Sequence, residues 1–503
     1  MSHETESKPD LEIEQRFREL ELNGDQFRSL VEKTLSYLSP YLDSVGEQPA
    51  IAGPVSDLKT PESEPLYPPR FPNSGLSAEF LLQSLFGSMI QEGYNPSSPG
   101  YLAFIPGGGI PESSVADLIA NILNRYLGLR RAAPQLAAID DTVLDWFCQM
   151  VGYGAGSGGY LSPGGSIANM TAIITARHHQ LGEQGHLGTI YTSEQTHHSI
   201  TKAALHVGIP RGQIRLLPVD PFLRLDHQAA EAMIEADRAQ GFKPFLLVSH
   251  AGTTNTGAID SLIEGRQLAD TQSLWWHVDA AYGGFFLLTE RGRERLQGIH
   301  AADSITIDPH KGLFLPYGTG CLVVKDLVRL RAACSLRGDY MPRQEGESTE
   351  RFDACDLSPE QTRDFRGLRI WLPMMLHGVE VFRANLDEKL DLAQYVYETL
   401  THWQSQGEPW WVSPNPELTV VAFRLAPPNK TSAELDTLNR ELLEEVHRDG
   451  SILLSPTLLD GALTVRLCVL CFRTHQAHVT QALELIHQAA QKVLKRHAAS
   501  AST

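Results

Sequence analysis

From about residue 100 to 370, short apolar runs alternate with stretches of helical periodicity. Thr189–Ser193, Ile214–Val219, Phe245–His250, Leu274–Ala280, Ile305–Ile307 and Cys321–Lys325 read as strands. Such alternation predicts an α/β domain with a mostly parallel sheet flanked by helices. Ligands of these sheets sit beyond the carboxyl ends of the strands. Upstream, Phe27, Leu30, Val31, Leu35 and Leu38 recur at i, i+3, i+4 spacing and predict an amphipathic helix stopped by Pro40. Pro49, Pro54, Pro61, Pro65, Pro68, Pro69 and Pro72 then predict an extended linker. A helix isolated in this way needs a cover for its apolar stripe, and another subunit is the expected one.

Residues 335–365 are polar, charged and weakly patterned, and read as an exposed mobile loop. After about 372 the chain becomes helical, with strands near Leu418–Arg424 and Leu463–Val469 and a closing helix from about His475 to His497. The expected organisation is an N-terminal helical arm with a Pro-rich linker over 1–100, a large domain over 101–371, and a small C-terminal α+β domain over 372–503.

Charge narrows the partners. Lys plus Arg number 42 against 60 Asp plus Glu, a formal net charge of −18. So acidic a surface repels nucleic acid and anionic lipid, and no run is apolar enough to span a membrane. The first ten residues are polar, are expected to be disordered, and show no signal-peptide core. Six scattered cysteines form no disulfide framework and point to a reduced cytoplasm. Cys468 and Cys471 read as part of a buried strand rather than as a redox or metal pair.

Two strand ends carry the candidate chemistry. His277-Val-Asp279-Ala-Ala-Tyr-Gly-Gly places an acid at the end of an apolar strand, and Asp308-Pro-His310-Lys311-Gly312 places an amine at the end of another. Alone, each is an ordinary turn acid or solvated lysine. Together they suit pyridoxal phosphate: the lysine binds the aldehyde as a Schiff base, and the acid keeps the pyridine nitrogen protonated. The glycines of Gly158–Thr171 free backbone N–H groups, and Ser166 is expected to cap the helix through Ala172–His178, a ready dianion site. Gly154, Gly156 and Gly159 formally match a dinucleotide fingerprint, but no strand leads into them. In Ser193–Ser199 an imidazole stacked on the ring would orient a substrate carboxylate; the alternative is a polar loop with two incidental histidines. His178-His179 and His197-His198 lack metal-ligand spacing, so no metal is expected.

At these residues the sequence resembles the group II pyridoxal-dependent amino-acid decarboxylases, which include aromatic L-amino-acid, glutamate and cysteine sulfinate decarboxylases. Beyond the segments above, Gly252-Thr253-Thr254, Tyr101–Pro106, Arg363–Trp371, Val465–Cys468 and Phe472–Thr474 carry the likeness, over roughly residues 25–495. The resemblance implies a fold-type-I pyridoxal-phosphate enzyme, a homodimer whose N-terminal helix crosses to the partner. It implies Lys311 as the Schiff-base lysine, Asp279 as partner of the pyridine nitrogen and His197 as the stacking residue. Gly165 and Ser166 would hold phosphate, with Thr254 and His310 beside the cofactor. Phe104, Ile105 and Arg466 would meet the substrate, and Tyr340 would protonate the α-carbon after carbon dioxide leaves. The implied activity is decarboxylation of an L-amino acid, foremost an aromatic one. Glutamate, cysteine sulfinate and diaminobutyrate are alternative substrates, and an aldehyde synthase or aminotransferase is an alternative outcome. Two positions depart from the aromatic enzymes. Asp308 stands where they carry Asn and is expected to turn away from the phosphate or to bond neighbouring main-chain N–H groups, and Gly107-Gly108-Gly109 is expected to make a roomier substrate pocket.

Overall fold

The computed structural model describes residues 20–52, 70–87, 89–336 and 351–500. The chain forms two compact units, Met1–Asn95 and Pro96–Thr503. Most of the predicted linker, the first ten residues and Tyr340 lie outside the described residues.

In the first unit, helix Gly24–Ser44 starts at a capping box in which Asn23 and Gln26 satisfy each other's main-chain N–H groups. It runs through Pro40 rather than stopping there. The missing N–H leaves one carbonyl, that of Ser36, without its helical donor; Ser36 and Pro40 are both exposed, so water can replace that bond. Helix Ala78–Gly87 packs beside it, with Tyr37 Oη donating to Glu79 at 2.7 Å. A two-residue ribbon, β1 (Ile51–Ala52) with β2 (Gly93–Tyr94), completes the described part of this unit.

In the second unit, a sheet of seven described strands has the order β3-β9-β8-β7-β6-β4-β5. These are β3 (Gly158–Ser162), β4 (Gly188–Ser193), β5 (Ile214–Leu217), β6 (Lys243–His250), β7 (Trp275–Asp279), β8 (Ser304–Ile307) and β9 (Gly320–Val324). Pairs β5/β4, β4/β6, β6/β7 and β7/β8 are parallel, while β9 runs antiparallel to both its neighbours. The central strands are covered on both faces, which is why they read as continuous apolar runs: Phe245, Leu246, Leu247 and Val248 are fully buried. Six of the strands match the runs in the sequence. The seventh, β3, was hidden because its glycines read only as a loop. Gly159 is in fact required by sheet pairing, since a Cβ there would lie 1.9 Å from the Leu322 carbonyl oxygen.

A second, four-stranded antiparallel sheet has the order β10-β11-β13-β12: β10 (Trp410–Val412), β11 (Val420–Leu425), β12 (Ser455–Leu459) and β13 (Ala462–Cys468). It packs with helices Val379–Ser405, Ser432–Val446 and Gln476–Ser500 around a separate apolar core that includes Phe423, Leu442, Leu467 and Ile486. Cys468 and Cys471 are buried and free, as are Cys148 and Cys321; Cys334 is half-buried and also free, and Cys355 is buried.

The expectation of a wholly exposed loop over 335–365 fails at its C-terminal part. Asp356 and Arg363 are buried, Ser335 Oγ donates to Asp356 at 2.9 Å, and Arg363 pairs with Asp140 at 3.1 Å. Polar composition concealed this because charge is buried here only against matched charge. No described helix is long and apolar enough to cross a membrane.

Candidate active site

The carboxyl ends of β4, β6, β7 and β8 open into a cavity of about 350 Å³. The chain topology therefore delivers His197, His250, Asp279 and Lys311 to one place from four different strands. Helix Gly165–Leu181 points its N-terminus at the same cavity. Gly164 is the helix cap and offers no side chain, so Ser166 lies inside the first turn rather than at the capping position expected from sequence. The main-chain N–H groups of Gly165 and Ser166 consequently have no acceptor among the described residues, the arrangement an anion completes.

Asp279, the last residue of β7, is buried and accepts from Asn169 Nδ2 at 2.8 Å and from the Ala281 N–H at 3.1 Å. Burial opposes its ionisation, but the positive charges of His250 and Lys311 outweigh burial and hold its pKa below the ordinary carboxylate value. His250 ends β6 and is itself buried against Asp260, its Nδ1 3.1 Å from Oδ2, while Nε2 lies 2.8 Å from Thr196 Oγ1. Burial acts to lower the His250 pKa; the Asp260 hydrogen bond and charge, with Asp279 beyond, reverse that and raise it. His197 packs its ring 4.1 Å from that of His198, and burial pushes its pKa down to about 4, so the imidazole is neutral at pH 7.

Lys311 follows β8 in the short helix Pro309–Gly312, where Pro309 occupies the first position. Its amine is 3.2 Å from Asp308 Oδ2. Asp308 thus does not turn away. It lines the cavity, nearly fully buried, with Oδ1 lacking a hydrogen-bond partner among the described residues. The reason is the ammonium three residues on, which attracts the carboxylate more than the rest of the chain can. His310 Nδ1 donates to the Thr319 carbonyl at 2.6 Å, and Nε2 lies 3.7 Å from Asp308.

Thr254 lines the cavity, whereas Phe104, Ile105 and Arg466 do not. The buried Arg466 guanidinium instead donates to the carbonyls of Asn255 (2.8 Å), Phe104 (3.4 Å) and Thr254 and to Ser455 Oγ (2.9 Å). It braces the loops at the cavity, and only one of its five N–H groups remains uncommitted. Phe104 is held at φ 54° with its side chain half exposed, and Ile105 is buried. Gly107 and Gly108 do not make extra room within the chain. A Cβ on Gly107 would lie 2.3 Å from the His310 carbonyl oxygen, and one on Gly108 2.7 Å from Cys471 Sγ. Gly107 lets its loop approach the Lys311 segment closely, and Gly108 lets it approach Cys471. Gly107→Ala is expected to cost about 1–3 kcal/mol of stability through overpacking and to weaken cofactor retention, read from thermal unfolding and from cofactor lost on dialysis.

Sequence reasoning missed Asn169, Ser199, His250, Asp260 and His277 as parts of this site. Asn169 had a signal: it lies four residues after Gly165, on the same helix face. His250 and Asp260 had none, because only the fold joins the end of β6 to the segment after it.

An amine and an ionised buried acid at one cavity floor, beside a helix start with free N–H groups, define the class of pyridoxal-phosphate enzymes. Residues 61–426 match the pyridoxal-dependent decarboxylase conserved domain, and the chain belongs to that family: it is a carboxy-lyase that uses pyridoxal 5′-phosphate. It is 31% identical to the aromatic-L-amino-acid decarboxylase of Bacillus atrophaeus over 480 residues, 94% of this chain and 97% of that protein. It is 27% identical to tryptophan decarboxylase 1 of rice (Oryza sativa subsp. japonica) over 94% of this chain and 95% of that one. The crystal structure of Oryza sativa TDC with PLP and tryptamine superposes with a TM-score of 0.85 at 25% identity, covering 94% and 99% of the two chains. Mouse CSAD superposes with a TM-score of 0.80 at 24% identity, over 93% of this chain and 99% of that one, and shares the fold.

The cavity fits the cofactor on its own terms. It offers an amine for an aldehyde, a carboxylate for a ring nitrogen and unsatisfied N–H groups for a phosphate. Gly165 also leaves space that a Cβ would close, to 2.8 Å from Asp308 Oδ2 and 3.2 Å from Ala281 Cβ.

Proposed function

We propose that the chain removes the α-carboxylate of an aromatic L-amino acid and releases the amine, acting as a homodimer. The observation that carries the substrate class is the charge of the cavity. Among the described residues that line it, Asp279 and Asp308 are acids, and Lys311 is the lone lysine, with no arginine. Glutamate or cysteine sulfinate would bring a further negative charge, while the cations at the cavity, Lys311 and His250, already face Asp308, Asp279 and Asp260. A neutral aromatic side chain incurs no such penalty. The names of the relatives, aromatic-L-amino-acid and tryptophan decarboxylases, point the same way.

When bound, pyridoxal 5′-phosphate supplies an aldehyde that takes up an amine and a ring that withdraws electrons from the bond to be broken. Lys311 would hold the aldehyde and yield it to the substrate amine. Gly165 and Ser166 would hold the phosphate through N–H groups at the helix start, with Thr254 and His310 beside the cofactor. Asp279, ionised, would keep a proton on the ring nitrogen. His197, neutral, would lie on the ring face and orient the carboxylate that leaves. Phe104 and Ile105 would meet the substrate side chain from the neighbouring loop, and Arg466 would hold that loop. Tyr340 would deliver a proton to the α-carbon, so Tyr340→Phe is expected to turn product from amine towards aldehyde with peroxide, dioxygen serving as the oxidant and the amine nitrogen leaving as ammonia. Unchanged amine output with neither by-product would remove that role.

Homodimer formation is supported by apolar faces left open in each unit. Leu30, Leu35, Leu38 and Leu42 are exposed on helix Gly24–Ser44, and Val115, Leu118, Ile119 and Ile122 on helix Pro111–Leu123. An arm over residues 1–100 exchanged between subunits would cover the first of these. The free thiols of Cys148, Cys321, Cys334, Cys468 and Cys471 support a cytoplasmic location.

The test is carbon dioxide release across a panel of L-tryptophan, L-tyrosine, L-phenylalanine, L-DOPA, L-glutamate, cysteine sulfinate and diaminobutyrate. Turnover confined to the aromatic members is expected. Faster turnover of glutamate or cysteine sulfinate overturns the substrate class.

A further inference from the structure

Beneath the cavity, buried side chains form an unbroken hydrogen-bonded chain. Trp275 Nε1 donates to Ser304 Oγ at 2.9 Å, Ser304 Oγ meets His277 Nδ1 at 2.9 Å, and His277 Nε2 meets Asn169 Oδ1 at 3.0 Å. Asn169 Nδ2 donates to Asp279 Oδ2 at 2.8 Å and to Ser199 Oγ at 3.0 Å. Ser199 Oγ meets His197 Nδ1 at 2.8 Å, and the Ser199 main-chain N–H points at the same atom at 3.3 Å.

The direction of every link follows from two members that have no choice. An indole N–H only donates, and an ionised carboxylate only accepts. Asp279 therefore fixes Asn169 with its amide NH₂ towards the acid and its oxygen towards His277. That oxygen needs a proton on His277 Nε2. His277 is fully buried, burial pushes its pKa down to about 4, and a neutral ring with Nε2–H must accept at Nδ1. Ser304 meets this demand, taking the Trp275 hydrogen and giving its own. On the other arm, Ser199 Oγ receives the second Asn169 hydrogen, so its single proton goes to His197 Nδ1. With two donors aimed at Nδ1, the one proton of the neutral His197 ring is left on Nε2.

We propose that this chain locks His197 as the Nε2–H tautomer, with Asn169 and Ser199 as positioning residues that couple it to Asp279. His197 then presents a donor to an anionic group and cannot take up a second proton without setting Nδ1–H against the Ser199 donors. The charged groups facing His197 are Asp279, Asp308 and Lys311, with the His198 ring tilted against it. The consequence for catalysis rests on the reading of His197 as the residue that orients the leaving carboxylate. The lock itself does not, and it is tested without substrate.

Neutron diffraction from the perdeuterated protein at pH 7, with nitrogen-15 NMR of labelled histidines, reads the proton positions directly. The expected result is a hydrogen on His197 Nε2, none on Nδ1, and a ring that stays neutral until about pH 4. In Ser199→Ala the hydroxyl donor is lost and only the weaker main-chain N–H holds Nδ1. The His197 titration should then move upward, and kcat should fall severalfold with KM little changed. Ser199→Thr, which keeps the hydroxyl, should restore both. A proton on His197 Nδ1 in the wild type overturns the proposal whatever the variants do. So does a Ser199→Ala protein whose His197 titrates as in the wild type. If the tautomer is as stated but no amino acid is decarboxylated, the functional reading fails and the lock stands.

Discussion

Lys311→Ala is expected to lower decarboxylation on the order of a thousandfold or more, about 4 kcal/mol in the transition state. Without this amine the cofactor aldehyde has no bond to the protein, and the exchange that admits substrate cannot begin. The structure adds a second effect. The Lys311 ammonium is the partner of Asp308 at 3.2 Å, and Asp308 Oδ1 already lacks a hydrogen bond. Removing the cation leaves the buried carboxylate facing only the more distant His310 ring, 3.7 Å away, beside the phosphate cup, so the variant should retain cofactor poorly. Added primary amines should restore part of the rate but not the retention. Borohydride reduction of the loaded wild type, followed by peptide mapping, should place the cofactor on Lys311. Its appearance on another lysine would remove the assignment.

Asp279→Asn is expected to reduce turnover more than tenfold, and by several kcal/mol if the ring nitrogen loses its proton altogether. The change is near-isosteric but not neutral in hydrogen bonding. Both carboxylate oxygens already accept, one from Asn169 and one from the Ala281 N–H. An amide must turn its NH₂ towards one of these donors, which leaves a buried donor unsatisfied and costs about 1–3 kcal/mol of stability. Loss of activity should therefore come with a lower melting temperature and a displaced visible band of the bound cofactor. A variant that keeps more than about a tenth of the wild-type rate has lost less than about 1.4 kcal/mol. Asp279 would then not contact the ring nitrogen.

Several parts of this protein were legible in its residues because their signals are local. A continuous apolar run marks a strand covered on both faces, and six strands of the large sheet were found that way. The acid after Val278 was found because it ends such a run, and the lysine after His310 because it closely follows one. Where a signal depended on pairing, sequence failed. The glycines of β3 looked like a loop because the carbonyl of Leu322 that demands one of them lies far along the chain. Gly107 and Gly108 looked like space, yet the His310 carbonyl and Cys471 occupy it. Pro40 looked like a stop, but a helix whose exposed carbonyl reaches water can pass it.

By itself, then, the sequence determined the alternation of elements, the acidic surface and the residue types able to hold a pyridoxal cofactor, since each depends on near neighbours or on composition. Only the tertiary structure decided how those residues are charged and directed. Asp279 is ionised because His250 and Lys311 arrive from other strands. Asp308 faces the cavity because the Lys311 ammonium is there to attract it. The donors around His197 descend from Trp275 through four intervening residues on separate elements. Charge and hydrogen-bond direction are properties of distances between groups, and those distances exist only once the sheet has brought its strand ends together.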